Sequence, residues 1–187
     1  MARIPELKPQ ELSPKQYELA ASLGRTRGGA LSTNGPWGLL LRNAELCEAG
    51  GKFGTLLRDG TSVPKNLSEL AILVTARLWT ANFEWYAHAP QALNAGVSPD
   101  VVEAIRLRRR PAFTRRDEEA VYDYVEELYA TRRVSDATYR RLLEHLDPQA
   151  AIELTTIAGF YTTIAMLLVA FEVDLPPGET PAFDGTA

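Results

Sequence analysis

Hydrophobic positions along this chain fall into blocks of helical length, and no run of alternating β-branched residues reads as a strand. Entry signals mark where the blocks begin. Ser13-Pro14, Ser98-Pro99 and Asp147-Pro148 each place a capping side chain just before a proline at the first helical position. Thr114 with Asp117 resembles a capping box, and Ser135 can cap the segment after it. The pattern predicts helices near 14–23, 37–49, 52–58, 67–79, 82–95, 99–109, 115–131, 136–145 and 149–172, hence an all-α fold. Residues 1–187 read as one domain. Residues 1–12, with two prolines and much charge, and 174–187, rich in proline and glycine, are expected to be flexible tails or straps onto a neighbouring subunit. Residues 24–36 read as a flexible loop.

The block at 149–172 is the most apolar. Leu154–Phe171 carries no charge, but Thr155, Thr156, Gly159, Thr162 and Thr163 dilute it, and Glu153 and Glu172 bound it without close basic flanks. A buried core or subunit-interface helix fits that pattern better than a membrane span. The first residues show no apolar stretch of signal-peptide type, so a cytoplasmic location is expected.

Composition narrows the chemistry. With 187 residues, 45% apolar and 24% charged, the chain can bury an ordinary globular core. Its net charge of −4 argues against general nucleic-acid binding. Cys47 is the sole cysteine, which excludes an intrachain disulfide, a Cys-x-x-Cys redox pair and a cysteine-rich zinc site. His88 and His145 lie far apart in sequence, so a metal site would need mostly carboxylate ligands. Neither a metal nor a cofactor is expected: no P-loop, G-x-G-x-x-G or G-x-S-x-G pattern occurs.

The segment Asn66–Gly96 concentrates the candidate chemistry, as two helices with a break around Thr80–Asn82. Glu69 shares a stripe with Ile72, Leu73 and Ala76, and a carboxylate there is costly to bury without a partner. The alternative is structural: Asn66-x-x-Glu69 fits a capping box. Glu84 and His88 are four apart and share a face. In the first turn the dipole favours an ionised Glu84, which in turn favours a protonated His88, while burial opposes it. Such a pair can exchange protons near neutral pH; equally, Gln91 continues its stripe and an ordinary solvent-facing pair would look the same, with Tyr86, Ala89 and Leu93 as the buried side. Pro90 interrupts the second helix and predicts a kink after His88.

The order Glu69, Glu84 fifteen residues on, and His88 four after that, within GPWGLLLRNAEL, SELAILVTARLWTANFEWYAHAPQALNAGVSPDVVEAI, FTRRDEEAVYDYVEELYATRRVSDATY and ELTTIAGFYTTIAMLLVAFEVDLP, resembles the carboxymuconolactone decarboxylase and alkylhydroperoxidase D-like family over residues 35–177. The family's redox branch carries Cys-x-x-Cys where this chain has Ala81 and Glu84, so thiol peroxidase chemistry lacks its nucleophile and its resolving thiol. Cys47 matches neither position and reads as a core residue. The resemblance to the decarboxylase-type branch implies cofactor-free proton transfer on a small organic acid or lactone. In that chemistry His88 would donate the proton, Glu84 orient or recharge it, and Glu69 modulate both. It also implies a homo-oligomer: a dimer, trimer or hexamer. A non-catalytic binding or assembly protein on the same fold is the third reading.

Residues 106–116 hold six arginines, read as a solvated loop paired with Asp117, Glu118 and Glu119, or with one arginine reaching a substrate carboxylate. Trp79, Phe83, Trp85 and Tyr86 bracket the candidate site and could line an apolar pocket. His145 reads as structural, near a helix end where the dipole favours a cation.

Overall fold

The computed structural model describes residues 2–25 and 31–184, so residues 26–30 of the expected loop and 185–187 of the expected tail lie outside the described residues. The described residues form nine α-helices and no strand. They are α1 (Pro14–Arg25), α2 (Gly35–Leu40), α3 (Ala44–Asp59), α4 (Lys65–Leu78), α5 (Asn82–Asn94), α6 (Pro99–Arg106), α7 (Arg116–Thr131), α8 (Asp136–Leu143) and α9 (Pro148–Ala170). The all-α expectation holds.

α4 is the central helix. Every residue from Leu67 to Ala76 is buried, as an element apolar around its circumference must be. It packs on α5, α7 and α9, and more lightly on α6. Leu70, Leu73, Val121, Val125, Leu142, Leu154 and Ile157 fill this larger core. A second cluster, with Trp37, Leu40, Leu41 and Cys47 against Ile164 and Leu168, joins α1, α2 and α3 to the far end of α9. α9 buries Leu154, Ile157, Tyr161, Ile164 and Leu168 and leaves Ile152, Met166 and Val169 exposed.

Three predicted caps form: Ser98 accepts from the Asp100 N–H, Ser135 from Thr138 and Asp147 from Ala150. Ser13 goes further, exchanging hydrogen bonds with Gln16 as a capping box does. Thr114 does not cap α7. That helix starts one residue later, after Arg115, and Asp117 instead takes the Glu118 N–H and the Arg115 guanidinium.

The division at 37–49 and 52–58 is wrong. α3 runs unbroken through Gly50-Gly51, and the break falls at Asn43, whose side chain accepts from the Leu46 N–H at 3.0 Å. The glycines serve packing rather than termination. A methyl on Gly54 would sit 3.0 Å from the Phe160 ring and 3.5 Å from Trp37, so its absence lets α9 and α2 close onto α3.

Both ends of the described residues pack on the rest of the molecule. The Ala2 N–H donates to Asp174, and Arg3 bonds the backbone of Ala170 and Phe171 and the Glu172 side chain. Phe183 is only 5% exposed, within the larger core. The tail expected to be flexible, or to strap onto a neighbour, is thus tied to its own chain at Asp174 and at Ala182–Phe183, where an aromatic residue has a place to be buried.

Candidate active site

A cavity of about 750 Å³ opens between α2, α3, α5 and α9, with the start of α4 on one wall. That is room for a small-molecule ligand. Glu69, Glu84 and His88 all line it, so the three residues singled out from spacing do converge.

α4 begins at Lys65, directly after Pro64, which places Glu69 a full turn inside the helix rather than at its cap. Asn66 does not cap it but donates to Glu118 at 3.1 Å. Glu69 is 1% exposed and both its oxygens are committed. Oε1 takes the Lys65 ammonium at 2.8 Å, the i,i+4 partner on its own helix. Oε2 meets Nδ1 of His88 at 2.8 Å. Burial pushes the Glu69 carboxyl up, but the His88 hydrogen bond and charge, with those of Lys65, outweigh burial and hold it below its ordinary value.

His88 reaches Glu69 because α5 packs closely on α4. Its side chain is 15% exposed, and its ring stands edge-on to Tyr161 with centroids 4.9 Å apart. With Nδ1 engaged by a carboxylate, the ring nitrogen left to act is Nε2, which makes no hydrogen bond among the described residues.

Glu84 departs from expectation. The spacing predicts an ionised partner of His88, yet Glu84 is 2% exposed and neither oxygen has a hydrogen-bond partner among the described residues. Burial, costly for a carboxylate, pushes its carboxyl well above the ordinary value. It lies toward the α7–α9 interior. Burial raises the Tyr129 hydroxyl, against hydrogen bonds to Thr162 and Thr75, and nearby Glu84 adds to the rise. The buried side of α5 is Glu84, Trp85 and Ala92, while Tyr86 and Leu93, expected inside, are exposed. Glu69, not Glu84, is thus the carboxylate that meets His88, and Glu84 stays buried without a hydrogen-bond partner among the described residues.

The remaining walls are Trp37, Phe83, Phe160, Tyr161, Ile164 and Leu168, with Arg58 and Lys65 as cations. Of the expected aromatic bracket, Phe83 and Tyr86 line the cavity, whereas Trp85 packs elsewhere, against Phe183. None of the six arginines of 106–116 lines it. Arg110 pairs with Asp123 and Glu119, Arg115 with Asp117 and Glu118, Arg116 with Glu119, and Arg106 with Glu103. His145 is exposed and apart from the cavity, and Cys47 is buried in the second core cluster. Sequence reasoning missed Lys65, although its i,i+4 spacing to Glu69 was readable; Trp37 and Tyr161 come from distant helices and carried no such signal.

No family model and no curated protein matches the chain. Solved structures do. An uncharacterized peroxidase-related protein from Silicibacter sp. TM1040 is similar at 14% identity and TM-score 0.76, over 94% of this chain and 92% of that one. An alkylhydroperoxidase AhpD core, an uncharacterized peroxidase-related protein from Ralstonia eutropha JMP134, gives 14% identity and TM-score 0.77, over 94% and 93%. The debrominase Bmp8, as a cysteine-to-alanine variant in complex with 2,3,4-tribromopyrrole, gives 14% and 0.73, over 92% and 90%. At this identity the likeness concerns the chain's path and not its chemistry: the protein has the alkylhydroperoxidase D-like fold that its sequence resemblance implied.

Proposed function

We propose that this chain is a cofactor-independent proton-transfer enzyme, of decarboxylase type, acting on a small organic acid or lactone. The observation that carries the reading is the 2.8 Å Glu69–His88 contact on the wall of a ligand-sized cavity that Glu84 also lines. Loss of CO₂ from a carbon beside a carbonyl breaks the C–C bond and leaves its electron pair as an enolate. Protonated His88 then delivers a proton from Nε2 to that carbon, and the neutral imidazole regains one from solvent. Glu69 orients the ring, and the Lys65 ammonium helps hold the Glu69 carboxyl below its ordinary value. The task first given to Glu84, orienting His88, passes to Glu69.

Peroxidase chemistry is the second reading, since two of the similar structures are named peroxidase-related. The residues count against it here. The positions that carry thiols in the redox branch hold Ala81 and Glu84, and Cys47 is fully buried outside the cavity. A homo-oligomeric, cytoplasmic protein belongs to the same proposal, and Ile152, Met166 and Val169, exposed on α9, offer an apolar face for assembly.

The deciding assay sets CO₂ release from a panel of γ-lactone acids and β-keto acids beside hydroperoxide reduction with a dithiol donor. We expect CO₂ release, negligible peroxide turnover and no effect of Cys47→Ala on either. Robust peroxide reduction abolished by Cys47→Ala overturns the reading.

A further inference from the structure

The site depends on how α5 is set against α4, and the elbow between them is braced from outside. Thr80, in that elbow, has φ of 52°, a left-handed conformation that a β-branched residue rarely adopts. The helix that follows has no side-chain cap at its start. What holds the elbow is a cluster of longer reach. Oγ1 of Thr80 accepts from Arg77 at 3.3 Å and from Arg108 at 3.0 Å. The Arg77 guanidinium also lies over the Phe183 ring, 4.4 Å from its centroid. Phe183 in turn meets Trp85 edge-to-face at 5.1 Å. Its backbone is held by one side chain: the Phe183 N–H donates to Asn82 Oδ1 at 2.9 Å, and Asn82 Nδ2 donates to the Phe183 carbonyl at 3.2 Å. Arg106 adds a bond to the Ala182 carbonyl at 3.0 Å.

Asn82 and Trp85 belong to the first turn of α5, the helix that carries Glu84 and His88. The segment leading to Phe183 is also tied at its other end, by the Ala2 N–H on Asp174, and Pro176 between the two ties lines the cavity. We propose that the C-terminal segment is a latch, in which Phe183 and Asn82 are positioning residues that set α5 so that His88 meets Glu69. The inference rests on the reading of His88 and Glu69 as the reacting pair, but its principal readout needs no turnover. Phe183 touches no cavity-lining group of the acid–base trio; it acts through Asn82, Trp85 and the elbow. A displacement of about 1 Å at a reacting group is enough to cost on the order of 100-fold in rate.

The test follows the imidazole Nδ1 proton of His88 by NMR, where a short bond to a carboxylate gives a far-downfield signal assigned by its loss in His88→Gln. In Phe183→Ala the chain should remain helical by circular dichroism, while the downfield signal is lost or broadened and kcat on the best substrate of the acid and lactone panel falls at least about tenfold, with a smaller change in KM. Phe183→Tyr should restore both. If Phe183→Ala does not fold, Asn82→Ala, which removes the two-point clamp and leaves the aromatic packing, should weaken the signal in the same direction. An unchanged downfield signal in folded Phe183→Ala or Asn82→Ala overturns the latch. If the signal is lost in Phe183→Ala yet His88→Gln retains full activity, the latch stands and the catalytic reading fails.

Discussion

His88→Gln will fold as the wild type does and lose about 100-fold or more in turnover. Glutamine keeps the approximate size of the side chain and can still donate toward Glu69, but it cannot take up and release a proton near neutral pH. The effect should fall mainly on kcat, because the proton reaches carbon only in the transition state. An exposed ion pair gives the opposite expectation: removing it changes stability by about 0.5 kcal/mol or less and leaves rate alone. Glu69→Gln should fall between wild type and His88→Gln, since it leaves the imidazole in place without the carboxylate that orients it. Steady-state kinetics on any substrate the wild type turns over decides the matter. Full activity in His88→Gln removes His88 from the chemistry.

Glu84→Met will raise stability at neutral pH by about 1–3 kcal/mol. A buried polar group with no hydrogen-bond partner costs about that much, and methionine fills a similar volume without it. In a chain of this length each kcal/mol moves the melting temperature by about 2–4 °C. The pH dependence gives a second check. Burial raises the folded Glu84 carboxyl above its ordinary value, so the folded chain holds a proton that the unfolded chain releases. Glu84 therefore makes stability decline as pH rises from its ordinary value toward its folded value, and Glu84→Met abolishes that decline. Glu69 has the opposite sign. Its carboxyl is held low, so its contribution is present above the ordinary carboxyl value and is lost as pH falls through the folded value. Thermal melts from mildly acidic to neutral pH separate the two. A Glu84→Met protein less stable than wild type at neutral pH would mean that the carboxyl is satisfied in solution.

Spacing along α4 and α5 was enough to bring Glu69, Glu84 and His88 together, because helical periodicity and a short elbow leave few ways to arrange them. It was not enough to assign their partners. Which carboxylate meets His88 depends on the rotation of α5 about its axis, whose buried side is Glu84, Trp85 and Ala92, with Trp85 against the distant Phe183. The same limit explains the misplaced break in α3. Gly50-Gly51 reads locally as a helix end, and only the rings of Trp37 and Phe160, from elsewhere in the chain, show why glycine is wanted within α3. Long-range packing also turned an apparently loose tail into part of the core.

The most direct test of the central claim is turnover in deuterated water of whichever γ-lactone acid or β-keto acid releases CO₂ fastest, with the product examined by NMR. Proton delivery by His88 predicts one deuterium at the carbon that lost the carboxyl group, on a single face, in step with CO₂ and absent in His88→Gln. Deuterium distributed over both faces, or an unchanged product and rate in His88→Gln, would contradict it.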